Sequence, residues 1–254
     1  MDVTLRIDGG EVTAPTGAGL LDVARRAGYR IPGLCHHEGV PDIAACRLCL
    51  VEVRQPGRGE PLLTTSCNYP VVADLDVVTE SPRIRRHRIM NLQLLLPYAP
   101  QAPALQELAV QLGVTRGLFA PVADAPLPGC ILCELCVRVC STVGYNALSA
   151  LGRGDHKSVG PPFGHTGATD CVGCGSCQSV CPTQCIAMED TSAARTIWGR
   201  TFDLFACRRC GTPFMTKAHR DATAARGDLP EEYYTLCDAC KRVVLSENLL
   251  TAAR

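Results

Sequence analysis

Residues 3–7 alternate apolar and polar side chains as a half-buried strand does, and Asp8-Gly9-Gly10 carries a hairpin turn signal that lets residues 11–14 return alongside. Leu20, Leu21, Val23, Ala24 and Ala27 then fall on one helical face, with Gly28 placed to end the helix. Two further strands are expected at residues 48–53 and 75–78, so the first 80 residues read as a small α/β unit. From Pro82 the period becomes helical, through Ile84, Ile89, Leu92, Leu95 and Leu96, then Leu105, Leu108, Ala109 and Leu112. Three prolines at 97, 100 and 103 split it into two pieces. A connector with three prolines occupies 114–129, and a tail with a short helix near its end follows 200. Between them, residues 130–190 have few long periodic stretches.

Composition changes this picture at one residue type. Of 254 residues 46% are apolar, and 25 basic residues balance 25 acidic ones, which gives no electrostatic reason to expect nucleic acid or an anionic membrane as partner. The best apolar run, 89–96, is short and interrupted by Asn91 and Gln93, so no membrane span is expected. The first residues lack the basic and apolar regions of a secretion signal, and a cytoplasmic location is expected. Cysteine, however, occurs 17 times, clustered at gaps of two and three residues. That clustering favours metal ligation in a reducing compartment over a disulfide scaffold. Sixteen of the cysteines form four groups of four, leaving Cys185 over.

Cys35, Cys46, Cys49 and Cys67 follow the spacing C-x10-C-x2-C-x17-C, with three thiols on one loop and the fourth from a later segment. Soft thiolates suit iron, and this is the logic of a plant-type [2Fe–2S] site with a longer first gap. Gly39, Ala44 and Ala45 keep the loop slim, and Arg47 is placed to screen negative charge. A zinc site is the alternative. His36 and His37 are expected to bond backbone or water, since no thiol is missing from the set.

Cys130-x2-Cys133-x2-Cys136-x3-Cys140 is repeated as Cys171-x2-Cys174-x2-Cys177-x3-Cys181-Pro182. In the bacterial two-cluster pattern the fourth cysteine of each run serves the other cluster. Cys130, Cys133, Cys136 and Cys181 are therefore assigned to one [4Fe–4S] cluster, and Cys171, Cys174, Cys177 and Cys140 to the other. Gly173 and Gly175 permit tight loop geometry, while Ser141 stands where the first run could carry proline. Cys185 is expected to act as a small buried apolar side chain. Cys207-x2-Cys210-Gly211 and Cys237-x2-Cys240, 26 residues apart, read as two knuckles of a closed four-thiolate zinc site, with a single iron or a fourth cluster as alternatives. His219 is expected to be a solvated loop residue.

Three stretches carry a family resemblance: Cys46-Arg47-Leu48-Cys49-Leu50-Val51-Glu52-Val53, the run Cys130-Ile131-Leu132-Cys133 with Cys136-Val137-Arg138-Val139-Cys140, and Cys181-Pro182-Thr183. Over about residues 1–190 the chain resembles the N-terminal part of the large iron–sulfur subunit of NADH dehydrogenase. It is similar also to the diaphorase iron–sulfur subunit of NAD-reducing hydrogenases and to N-terminal regions of iron-only hydrogenases. The resemblance implies an α+β chain: a β-grasp [2Fe–2S] domain at 1–80, a helical connector at 81–128 and a two-cluster [4Fe–4S] ferredoxin domain at 129–199. A zinc-ribbon-like four-cysteine tail at 200–254 completes the expected organisation. The family usually places a further [4Fe–4S] site, held by one histidine and three cysteines, in the connector; residues 96–108 here contain neither residue type.

No Gly-x-Gly-x-x-Gly follows a strand, and no P-loop or nucleophile–base motif is present, so no substrate-converting site is expected in this chain. The expected role is electron relay within a hetero-oligomeric oxidoreductase of hydrogenase or formate dehydrogenase type. Its partners would be a flavoprotein handling NAD(P)H and a catalytic redox subunit. An iron–sulfur redox sensor is the rival reading, although the neutral charge supplies no DNA-binding surface.

Overall fold

The computed structural model describes residues 1–55, 57, 59–162, 170–227 and 229–252. Strands β1 (Asp2–Ile7) and β2 (Gly10–Pro15) form the expected hairpin, with Leu5 opposite Val12. Helix α1 (Leu20–Arg26) follows, burying Leu20, Leu21, Val23 and Ala24, and Gly28 closes it at φ +92° by donating its N–H to the Arg25 carbonyl. Strands β3 (Leu50–Arg54), β4 (Leu62–Thr65) and β5 (Asp76–Val78) complete a five-stranded mixed sheet in the order β2-β1-β5-β3-β4. The β1–β5 pair is parallel and the others antiparallel. Leu5, Ile7, Val51, Val53 and Val77 face α1 in one core. Strand β4 was not foreseen: it follows a stretch of sequence rich in Pro and Gly and is only partly buried.

Helix α2 (Pro82–Leu95) starts on Ser81, whose hydroxyl accepts the Ile84 N–H, and helix α3 (Pro103–Leu112) ends on Gly113 in the left-handed region. Arg88, 2% exposed on α2, docks the helix onto the sheet. Its guanidinium donates to the carbonyls of Leu48, Leu50 and Thr79 and pairs with Glu80 at 2.8 Å. Burial pushes its pKa down against the pull of Glu80. In the turn between the helices and along α3, Ala99, Ala102, Leu105, Leu108, Ala109 and Leu112 are buried. Packed hydrocarbon thus fills the stretch where the resemblance would place a further cluster.

Helix α4 (Leu135–Thr142) carries Cys136 and Cys140, the last two cysteines of the first repeated run, and is followed by a small hairpin, β6 (Ser149–Leu151) and β7 (Ser158–Gly160). Short helix α5 (Ser176–Ser179) mirrors α4 in the second run. Next comes an antiparallel sheet in the order β11-β10-β9-β8, built from β8 (Met188–Asp190), β9 (Ala194–Ile197), β10 (Arg200–Ala206) and β11 (Pro213–Thr216). Because Arg200 pairs with Ile197, this sheet runs continuously through residue 200. Helices α6 (Lys217–Ala224), α7 (Glu231–Thr235) and α8 (Asp238–Ala252) end the chain. The last is longer than the short helix expected. Among the described residues no helix is long and apolar enough to cross a membrane.

Candidate iron–sulfur and metal centres

The first quartet assembles as two pairs. Cys35 Sγ lies 3.4 Å from Cys46 Sγ, and Cys49 is hydrogen-bonded to Cys67. Backbone N–H groups of Leu34 and Cys46 donate to the Cys46 and Cys35 sulfurs at 3.4 and 3.3 Å. Sharing a proton within each pair draws the Cys46 thiol down to about 6 and Cys49 down to about 7, and pushes Cys35 and Cys67 up. Two thiol pairs with N–H donors around them fit a two-iron cluster, which takes two thiolates per iron. The loop reaches this shape through positive φ at Gly39, Ala44 and Arg47. Asn91 on α2 donates to the Arg47 carbonyl, so that residue is anchored by its backbone. His36, expected to bond backbone or water, instead meets side chains at both ring nitrogens. It bridges two carboxylates, Asp22 of α1 at 2.8 Å and Asp42 of the loop at 3.0 Å, with its side chain 7% exposed. His37 does bond backbone, at the Glu38 carbonyl.

In the repeated runs each outer cysteine lies near thiols of the other run: Cys181 near Cys133 and Cys136, and Cys140 near Cys171, Cys174 and Cys177. Burial raises the Cys133 thiol to about 11, with nearby Cys181 contributing, and raises Cys136 to about 12, with Cys133, Cys177 and Cys181 contributing. Burial likewise raises Cys140, with Cys174 and Cys171 contributing, and lifts Cys177 to about 11, with Cys174, Cys171 and Cys140 contributing. Thiols crowded so that each opposes the other's ionisation fit a multi-iron cation core, which relieves that opposition. The two loops share a backbone path: Leu132 and Glu134 adopt φ +55° and +58°, and their counterparts Gly173 and Gly175 adopt +67° and +83°. Sulfur-directed donors accompany both, from Ala147 N–H to Cys140 at 3.2 Å and from the Trp198 indole to Cys177 at 3.4 Å.

The β8–β11 sheet braces the second loop, a role no motif disclosed. Arg195, held by Asp190, donates to the Gly173 and Cys174 carbonyls, Arg200 to the Cys171 carbonyl, and the Thr216 hydroxyl to the Val172 carbonyl. Cys185 only partly matches the expected small buried apolar residue: it packs against the core but is not fully buried. It is half-buried with Sγ 3.7 Å from Cys181, and it also contacts Cys130, making it a fifth thiol beside the first [4Fe–4S] set. His219 is not a solvated loop residue. It sits on α6 with its ring 6.0 Å edge-on from Tyr145, and burial, with Arg195 and Arg226 nearby, lowers its pKa.

In the tail, the sulfurs of Cys207, Cys210, Cys237 and Cys240 lie within 4.8 Å of one another. The first pair occupies the β10–β11 turn and the second the start of α8. Gly211, at φ +74°, closes the first knuckle by donating to the Cys207 carbonyl, and the Cys237 N–H donates to the Cys207 sulfur. A tetrahedral ion with sulfur bonds of about 2.3 Å needs sulfurs about 3.8 Å apart. The Cys210–Cys237 separation of 3.7 Å fits.

Comparison with known proteins places this geometry. Residues 1–82 match a 2Fe-2S iron-sulfur cluster binding domain, and residues 127–188 match a 4Fe-4S dicluster domain. A chain in the crystal structure of an NAD+-reducing [NiFe]-hydrogenase in the H2-reduced state superposes with a TM-score of 0.55 at 31% identity, over 65% of this chain and 76% of that one. The chain belongs to the iron–sulfur subunit family of NADH dehydrogenases and NAD(P)-reducing hydrogenases. Within the family, the NADP-reducing hydrogenase subunit HndD of Solidesulfovibrio fructosivorans is 32% identical over 71% of this chain and 35% of its own length. The NADPH-Fe(3+) oxidoreductase subunit alpha of Geobacter sulfurreducens is 28% identical over 94% of this chain and 30% of its own. The chain thus spans about a third of these relatives. As in the family, its cysteine sets fit clusters of both the 2Fe-2S and the 4Fe-4S kind.

Proposed function

We propose that this chain is the electron-relay subunit of a multi-subunit oxidoreductase, holding one [2Fe–2S] cluster, two [4Fe–4S] clusters and one zinc ion. Bound clusters supply one-electron storage, and the protein positions them and sets their potentials by burial and hydrogen bonding. Cys35, Cys46, Cys49 and Cys67 hold the two-iron cluster. Cys130, Cys133, Cys136 and Cys181 hold one cubane, and Cys171, Cys174, Cys177 and Cys140 the other. The reading is supported above all by the match of residues 1–82 to a 2Fe-2S domain and of residues 127–188 to a 4Fe-4S dicluster domain, with Cys181 near Cys133 and Cys140 near Cys171 and Cys174.

Cys207, Cys210, Cys237 and Cys240 hold zinc in a zinc-ribbon-like module whose second pair rides a helix. Four thiolates close the ion to substrate, so its work is structural. The module's own apolar core is small, with Cys207, Leu236 and Cys240 its buried members. The partners on this reading are a flavoprotein that exchanges electrons with NAD(P)H and a catalytic subunit of hydrogenase or formate dehydrogenase type, in the reducing cytoplasm. Purification of the native complex tests it. Recovery of a flavoprotein and a catalytic redox subunit at fixed stoichiometry supports the relay, and recovery as a lone DNA-binding species overturns it.

A further inference from the structure

Helix α4 carries Cys136 of one cubane set and Cys140 of the other, and between them stands Arg138. Its guanidinium leaves the helix and spans two cluster loops. One terminal nitrogen donates to the Cys35 carbonyl at 2.9 Å and to the Cys133 carbonyl at 3.0 Å, and the other donates to the Pro41 carbonyl. Cys35 and Pro41 belong to the [2Fe–2S] loop, 103 and 97 residues away in sequence, whereas Cys133 is a ligand of the first cubane set. The third guanidinium nitrogen, Nε, is buried and has no partner among the described residues. A buried N–H without an acceptor is rare in a native fold, and a cluster held by either loop would offer sulfur as an acceptor.

We propose that Arg138 is a positioning residue that couples the [2Fe–2S] site to the first [4Fe–4S] site. Its fork fixes the distance between their loops, and its positive charge favours the reduced form of both clusters. The inference rests on the relay reading and deepens it. Residues 96–108 offer neither histidine nor cysteine, and Arg138 joins the backbones of the two cluster loops. A lysine at this position keeps the charge but has no planar fork to serve carbonyls of two loops at once.

The test compares full-length native protein, R138Q and R138K, prepared anaerobically, by iron content, EPR-monitored redox titration and the spin–spin interaction between the two reduced clusters. In R138Q the ratio of reduced to oxidised form at fixed poise falls about tenfold for both clusters, a shift of 59 mV for a one-electron couple. The spin–spin interaction weakens. R138K keeps potentials near the native ones yet shows the weakened interaction, and it carries the test if R138Q loses iron. Native potentials and native spin coupling in an iron-replete variant overturn the inference and leave the relay reading standing. Native protein without a [2Fe–2S] signal overturns both.

Discussion

Replacing Gly173 with alanine probes the brace on the second cubane loop, because strain and steric conflict can be separated there. At φ +67° any side chain pays for the left-handed backbone, about 1–2 kcal/mol for an L-residue. The new Cβ would also stand 2.7 and 2.9 Å from two atoms of the Phe202 ring and 3.0 Å from the Thr216 methyl. Phe202 has little room to retreat, being 8% exposed on β10 and covered by the Arg200 guanidinium at 4.9 Å. Overpacking of this kind costs a further 1–3 kcal/mol or so, for a total of about 2–5 kcal/mol. The control is Gly28→Ala: φ is +92°, but no atom lies within 4 Å of the added Cβ, so the strain of about 1–2 kcal/mol stands alone. Iron analysis and EPR with thermal melting form the assay. G173A is expected to fall from about ten irons to about six by losing one cubane, with the [2Fe–2S] signal intact. G28A keeps its iron. If G173A retains all its iron and melts with G28A, the proposed bracing of the loop by the sheet is refuted.

Other outcomes follow from the same structure. C181A is expected to lose iron from the first cubane, while C185A keeps the full count; equal retention in both, by iron analysis, would contradict the ligand assignment. Chelation of zinc, or C237S, should open residues 207–252 to protease while leaving the iron EPR signals unchanged, since the tail's core is too small to hold alone. His219 is held below its ordinary value of 6.5 by burial and two arginines. The unfolded chain therefore binds the proton more readily, so this contribution is complete above about pH 6.5 and is lost as the pH falls. Between pH 7.5 and 5.5 the native Tm should drop further than that of H219Q.

Sequence spacing exposed the thiols because ligand geometry is local: three cysteines within seven residues cap one face of a cluster whatever surrounds them. The β1–β2 hairpin and α1 were equally legible, since turn chemistry and one apolar face specify each. What stayed hidden depends on distant partners. Arg138 reads as an exposed charge within a cysteine run until its acceptors arrive from about a hundred positions earlier. Helix α2 buries Arg88 and Gln93 along with Ile84 and Leu92, so its apolar period understates the packed face. The β8–β11 sheet consists of strands of three to seven residues with mixed burial, too short for alternation to show. For His219, the clue was Thr216, whose hydroxyl caps α6 by accepting the His219 N–H. Helix α6 lacks the apolar stripe that would have marked it, with none of its residues fully buried.

Electron relay by this chain requires three separate thiolate sets to hold iron–sulfur clusters near enough to pass electrons. Metal analysis with EPR on anaerobically purified protein tests it most directly. About ten irons and one zinc per chain are expected, with one reduced [2Fe–2S] signal and two interacting [4Fe–4S] signals. A colourless, iron-free protein with its thiols joined as disulfides would contradict it.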